Sequence, residues 1–154
     1  MQRRPLIAAA LLAPLAVRAH HGWSSFDQNR PLYLEGTATK VRWANPHTEM
    51  ELELPADLKL PADLATRALP AQSASVDGPA LLKAAQLPTR KDRRWQIELA
   101  PLSRLKAWAV PEIKNGDRVA LLGFTFAGEK GDAVLRAEYV FVAGKACGLR
   151  SSPA

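Results

Sequence analysis

The sequence predicts a mainly β protein: an OB-fold-like, five-stranded antiparallel barrel with one helix and a proline- and alanine-rich insertion. Two observations support this prediction. Five strand-like runs follow one another along the chain, and one helical pattern separates the third run from the last two. The first run also changes the face that its apolar residues occupy, as expected of a long, bulged barrel strand. A small open antiparallel α+β sheet would give the same order of elements, and that alternative stays open.

The first strand is predicted at residues 32–43. Its apolar residues lie at even positions in its first half and at odd positions at Val41 and Trp43. A period-2 pattern can change face only through an extra residue, so we predict a β-bulge between residues 36 and 40.

The second strand is predicted at residues 48–54, after a break at Asn45-Pro46. Its apolar residues alternate with three glutamates, so Met50 belongs to the core face. Parity places His47 on the glutamate side, turned away from Met50. Met50 is therefore expected to be a core residue and not a soft metal ligand.

Residues 55–93 interrupt this β pattern. They contain five of the twelve prolines and many alanines, with a brief helical pattern at residues 79–87. We predict a partly helical surface insertion between two strands. Its end is basic: Arg90, Arg93 and Arg94 surround one aspartate. The simplest interpretation is a solvated loop end, and the alternative is contact with an anionic partner.

The rest of the chain completes the barrel. A third strand is predicted at residues 95–99, a helix near residues 102–109 after Pro101, and two closing strands at residues 119–126 and 133–142. Asn115-Gly116-Asp117 and a glycine-containing segment at residues 128–132 are the predicted turns. The polar tail from residue 144 is expected to pack loosely.

The first nineteen residues have the order of a secretory signal peptide. Arg3-Arg4 precede an apolar stretch at residues 6–17, and Val17-Arg18-Ala19 gives small residues at the two positions that a signal peptidase recognises. About a dozen apolar residues are too few to span a bilayer. We therefore predict a signal peptide at residues 1–19, a single domain at residues 20–154, a periplasmic or secreted location, and no stable membrane anchor after cleavage.

Charge and cysteine content exclude several classes of function. The full chain has a formal net charge of +6, but without Arg3, Arg4 and Arg18 only 18 basic residues face 15 acidic ones, a net charge of +3. That charge is too small to indicate nucleic-acid binding. Cys147 is the only cysteine, so no internal disulfide can form. No motif identifies a catalytic residue, so a function without catalysis is favoured, and enzymatic activity stays open.

The three histidines of the chain, His20, His21 and His47, are the candidate metal ligands. Cleavage after Ala19 would let the amine and imidazole of His20 chelate one ion, with His47 as a third nitrogen. Cleavage after Arg18 would instead create Ala19-His20-His21, a terminal chelate with histidine in third place. Both arrangements suit copper(II), which heads the affinity order for nitrogen sites. In the simpler alternative, these histidines are solvated or structural.

Several segments resemble a family of exported bacterial proteins of unknown function. Its members begin with a His-His pair after the signal and contain a Trp-x-Asn-Pro-His motif. The matching segments here are His20-His21-Gly22-Trp23, Trp43-Ala44-Asn45-Pro46-His47, Trp95-Gln96-Ile97-Glu98 and Lys114-Asn115-Gly116-Asp117. The resemblance implies export and a single β-rich domain, and it implies no activity.

Two functions therefore remain open. The first is an exported copper-binding protein, a copper carrier or alternatively a copper redox enzyme, with Trp23 and Phe26 anchoring the terminus over the rim that carries His47. The second is a metal-free OB-type accessory module for a periplasmic protein partner. Its contact surface would comprise Trp23, Trp43, Arg90, Arg93 and Arg94, since aromatic residues and arginine are enriched at interface hot spots.

Overall fold

The computed structural model describes residues 21–154. The predicted signal peptide and His20 lie outside these residues. The described part of the chain contains six strands and two short α-helices. The strands are β1 Leu32–Arg42, β2 Glu49–Glu53, β3 Arg94–Glu98, β4 Arg118–Phe124, β5 Val134–Val142 and β6 Lys145–Gly148, and the helices are α1 Gly78–Ala84 and α2 Leu102–Ala107. Within residues 21–154, no helix has the length and apolar character needed to cross a membrane.

Five strands close into a barrel in the order β3-β2-β1-β4-β5, because β3 also pairs with β5. The predicted OB-like barrel is therefore confirmed, with α2 between β3 and β4 in the chain. The prediction of purely antiparallel pairing is wrong at the closure. The chain reverses direction between β3 and β4 and again between β4 and β5, so β3 and β5 run in parallel, with Gln96 opposite Val134.

The predicted bulge in β1 is confirmed. The register between β1 and β2 shifts between Thr39 and Arg42, at the far end of the predicted interval, and Lys40 has a positive φ of 46°. The extra residue lets Val41 and Trp43 pack against the same core as the even-numbered residues of early β1.

The interior of the barrel is apolar and fully enclosed. Met50 is buried there, as its parity predicted. Leu105 of α2 and the adjacent Trp108 join the same core. Other members of this core are Leu34, Leu52, Trp95, Ile97, Leu121, Leu135 and Val140. Burial of these side chains is the main stabilising contribution to the barrel.

The segment at residues 55–93 packs against the outside of the barrel. Its Leu64 and Leu82 form a second apolar cluster with Tyr33, Leu122 and Tyr139 of the barrel strands. We call this cluster the apolar cover. Helix α1 begins after Asp77, whose carboxylate accepts a hydrogen bond from the Ala80 backbone N–H. The predicted helical pattern is present, but the helix ends at Ala84 rather than near residue 87.

The end of the chain contains a strand that the sequence did not predict. β6 pairs with β5 along its whole length, and Leu149 is buried. The Ser73 backbone N–H donates to the Ser152 carbonyl, so the tail also contacts the 55–93 segment. The expected loose packing of the tail is therefore wrong, because its backbone continues the sheet and then bonds to the insertion.

Candidate functional site

A row of four side chains crosses the outer face of the barrel. Glu49 of β2 is paired with Glu98 of β3, Glu98 with Arg136 of β5, and Arg136 with Phe124 of β4. Directly paired residues point to the same side of a sheet. Their strand neighbours, such as Met50, are in the core, so the four side chains face outward. We call these residues the outer row.

All four residues of the outer row are buried, although they face away from the barrel interior. Residues 21–26, here the N-terminal segment, lie against them. A short 3-10 helix at Trp23–Ser25 shapes this segment, and the buried Phe26 stacks on Phe126 with ring centroids 5.1 Å apart. The Asp27 backbone N–H then donates to the Thr125 carbonyl, at 2.9 Å, and fixes the segment beside β4.

The carboxylate of Glu98 joins the N-terminal segment to the outer row. His21 Nδ1 lies 2.9 Å from Glu98 Oε1, and Arg136 Nη1 lies 3.3 Å from Glu98 Oε2. Burial lowers the pKa of Arg136 from its ordinary value, although the charge of Glu98 opposes that shift. The two oxygens of this carboxylate are therefore shared between an imidazole and a guanidinium group.

Trp23 contacts two guanidinium groups. The Cζ atom of Arg136 is 4.9 Å from the centre of the Trp23 ring, and that of Arg150 is 3.6 Å away. Both distances are within the range of cation–π attraction. Arg150 also pairs with Glu138, a fully buried carboxylate at a bulge in β5, with Nη2 and Oε2 2.6 Å apart. We define the charged cover as the N-terminal segment together with Arg150, which lie over the outer row and Glu138.

Within the charged cover, His21 is the residue whose side chain could bind a metal ion. Its ring packs edge-on against Phe26 and Phe126, and 38% of the side chain is exposed. A carboxylate oxygen can only accept, so the contact with Glu98 requires the proton on Nδ1. In a neutral ring, Nε2 is then the nitrogen with a free lone pair. Carboxylate-bound histidines of this kind are common in metal sites.

His47 lies at the β2 end of the outer row. Thr48 extends the pairing of β2 by one residue, since its N–H donates to the Ala100 carbonyl. His47 therefore precedes Glu49 by two residues of extended chain and faces the same side. Its carbonyl accepts a hydrogen bond from Arg42 Nη2 at 3.1 Å, and Arg42 also lies 3.7 Å from Glu49. His21 therefore contacts the outer row at Glu98, and His47 lies two residues before Glu49, the member of the outer row in β2.

The metal ligands predicted from the sequence lie only partly within the described residues. Within residues 21–154, no three His, Cys, Asp or Glu side chains come together as a group able to hold a metal ion. Two of the three predicted ligands, His21 and His47, belong to that range, and His20 lies outside it. Copper binding stays a prediction.

The residues predicted for partner contact do not form one surface. Trp23 belongs to the charged cover, and Trp43 packs partly against the core beside residues 112–115. Arg90 donates to the carbonyls of Glu129 and Gly131, and Arg93 donates to the Leu54 carbonyl. The Arg94 side chain is 65% exposed, but it lies at the opposite end of β3 from Glu98.

Four charged residues of this site were not among those predicted from the sequence: Glu98, Arg136, Glu138 and Arg150. A signal was present, since residues 134–142 place arginine and glutamate inside an otherwise apolar strand. Charged residues in a strand between two paired neighbours indicate either a solvated face or a covered ionic cluster. The sequence pattern alone does not distinguish these two cases.

Comparison with known proteins confirms the resemblance to an uncharacterised family. Residues 9–60, about a third of the chain, match the model of a family of unknown function (DUF6152). The matched range includes all three histidines, β1 and β2. None of the curated proteins matches this chain.

Proposed function

We propose that this is an exported periplasmic protein that binds copper(II) through its processed N terminus and His47. The observation that supports the proposal is the contact between His21 and Glu98, which fixes the start of the described chain on the outer row. Glu98 is one strand spacing, about 5 Å, from Glu49, and His47 precedes Glu49 by two residues, about 7 Å of extended chain. In this proposal, the processed terminus, which continues from His21, supplies its amine and the imidazole of His20 to an ion beside His47.

The available donors favour copper over other common metals. Imidazole and amine nitrogens suit copper, nickel and zinc, and copper(II) binds such sites most tightly among the divalent first-row metals. Magnesium and calcium prefer oxygen ligands. In the proposed site, the amine and imidazole of His20 and the imidazole of His47 provide the nitrogens, and His21 is a neighbouring fourth donor.

The test requires protein with its natural terminus. We would purify the protein from the periplasm, determine the cleavage site by intact mass, and titrate copper(II) against a competing chelator. A mass that retains residues 1–17 would contradict export and the terminal site together. A cytoplasmic form with methionine before His20 lacks the required amine, so we expect it to bind copper more weakly.

His47→Ala and Asn45→Ala form a matched pair for this titration. Asn45 is exposed and close to His47 in the chain, so its substitution controls for local disturbance. We expect His47→Ala to lower copper affinity by about tenfold or more, and Asn45→Ala to leave it unchanged. Equal affinity in both would mean that His47 is structural. An absence of copper binding in the unmodified protein would reject the proposal.

The alternative function is a metal-free OB-type accessory module for a periplasmic protein partner. The observation that favours it is the 65% exposure of the Arg94 side chain, which forms an ion pair with Glu51 at 3.6 Å. Arg90 and Arg93 instead donate to backbone carbonyls of the protein itself. Crosslinking in the periplasm would test it. We expect Arg94→Glu to abolish a specific crosslink if this function is correct, and Lys59→Glu, at another exposed position, to preserve it.

A further inference from the structure

We infer that Glu98 is a positioning residue, which presents Nε2 of His21 to the metal and excludes a chelate formed by His21 and its own backbone amide. This inference rests on the proposed copper site. It selects between the two terminal arrangements that the sequence leaves open. It also assigns a role to a buried carboxylate that is 77 residues from His21 in the chain.

The covalent connectivity of histidine determines which imidazole nitrogen can form a chelate with the backbone nitrogen of the same residue. Nδ1 is separated from the backbone nitrogen of the same residue by Cγ, Cβ and Cα, so a metal bound to both nitrogens closes a six-membered ring. Nε2 lies on the far side of the imidazole and cannot close that ring. A terminal chelate of Ala19-His20-His21 therefore requires Nδ1 of His21.

Glu98 occupies that nitrogen. His21 Nδ1 is 2.9 Å from Glu98 Oε1, so the proton that must leave before Nδ1 can bind a metal is donated to the carboxylate. With this contact intact, His21 can offer only Nε2. The terminal chelate would have to break the contact, whereas an ion held by His20 and His47 would not.

The position of Glu98 is fixed by the fold. Its carboxylate is buried in β3, and its second oxygen is 3.3 Å from Arg136, which in turn lies against Trp23. Displacing His21 would leave a buried carboxylate oxygen without its donor, which is unfavourable. Because both oxygens already have partners, Glu98 orients the histidine and is not itself expected to bind the metal.

The first experiment measures the tautomer of His21 in the metal-free protein with its natural terminus. Imidazole ¹⁵N shifts from long-range ¹H–¹⁵N spectra distinguish a proton on Nδ1 from one on Nε2. We expect the Nδ1–H form at neutral pH. A predominant Nε2–H form would overturn the inference, and this result does not depend on copper binding.

The second experiment compares Glu98→Gln with Glu53→Gln after copper(II) is added. Both substitutions exchange a carboxylate for an amide on the same sheet, but Glu53 is exposed. We expect Glu98→Gln to lower copper affinity by about tenfold, as loss of an outer-shell partner typically does. We also expect its electron paramagnetic resonance spectrum to gain the nitrogen coupling of backbone amides, and Glu53→Gln to match the unmodified protein.

The outcomes separate the two proposals. If the unmodified protein binds no copper, the proposed function is rejected, and the tautomer still decides the orientation of His21. If copper binds equally well to Glu98→Gln with an unchanged spectrum, the positioning role is overturned and the copper site stands. If Glu98→Gln does not fold, as judged by circular dichroism, the tautomer of the unmodified protein decides the question.

Discussion

The outside of this barrel is covered in two different ways. The apolar cover places Leu64 and Leu82 against two tyrosines and a leucine of the barrel. In the charged cover, an imidazole and two guanidinium groups contact Glu98 and Glu138, and an indole lies against both guanidinium groups. Apolar burial stabilises in proportion to area and tolerates small shifts, whereas paired charges require particular positions. The apolar cover therefore mainly stabilises the fold, and the charged cover mainly fixes a geometry.

The largest expected effect comes from breaking a pair in the charged cover. Arg150→Ala would leave Glu138 buried and without its guanidinium partner, although Gln72 still donates to the other oxygen at 3.2 Å. We expect the free energy of unfolding to fall by about 3–5 kcal/mol, as measured by urea denaturation. Arg118→Ala, which breaks an exposed pair with Glu35, should cost less than about 1 kcal/mol.

Replacing both Glu138 and Arg150 tests whether the loss of stability comes from leaving one buried charge unpaired. The double variant Glu138→Met with Arg150→Met removes the charges together, so no buried charge is left unpaired. We expect its free energy of unfolding to lie within about 1 kcal/mol of the unmodified protein. If the double variant were as unstable as Arg150→Ala, the pair itself would be a net source of stability, and the contrast between the covers would be wrong.

Truncating a side chain of the apolar cover should lower the free energy of unfolding in proportion to the buried volume that is removed. Leu82 is buried, and Leu82→Ala is expected to lower the free energy of unfolding by about 2–4 kcal/mol in the same denaturation experiment. Leu60, in the same segment, is 42% exposed, and Leu60→Ala should change stability by less than about 0.5 kcal/mol. Equal effects would show that the segment does not pack stably against the barrel.

Among the single substitutions of buried contacts, the smallest effect is expected from the indole of the charged cover. Trp23→Leu keeps apolar bulk but removes the attraction to two guanidinium groups, so we expect a loss of about 1–2 kcal/mol. Hydrogen exchange gives the more specific measurement. The Asp27 amide, which donates to Thr125, should exchange faster in Trp23→Leu and at an unchanged rate in Trp43→Leu. Faster exchange in both would point to general destabilisation.

Much of the fold could be predicted because its determinants are local. Short apolar runs bounded by turn residues indicated the five barrel strands, and the change of parity in β1 indicated a bulge, which the structure has between Thr39 and Arg42. The parallel pairing of β3 with β5 could not be predicted in this way, because it depends on how distant segments meet. β6 is only four residues long and is too short to show a period.

The site was only partly predictable for the same reason. The histidines stand out because there are only three of them, and their residue type suggests nitrogen ligation. Glu98 alternates with apolar residues in β3, a pattern that also fits a solvated face. Its burial depends on His21 and Trp23, which pack over β3 and β5 from the other end of the sequence. Single-sequence patterns do not contain that information.

The insertion between β2 and β3 also has a consequence for the folding pathway. It separates Glu53 from its partner Arg94 by about forty residues, where a hairpin would use about four. Closing the longer loop costs about 2 kcal/mol more in chain entropy. The β4–β5 hairpin does not bear this cost, so we expect β4 and β5 to pair first and β3 to join last. Because β3 contains Glu98, the anchor for His21 is then completed only when the barrel closes.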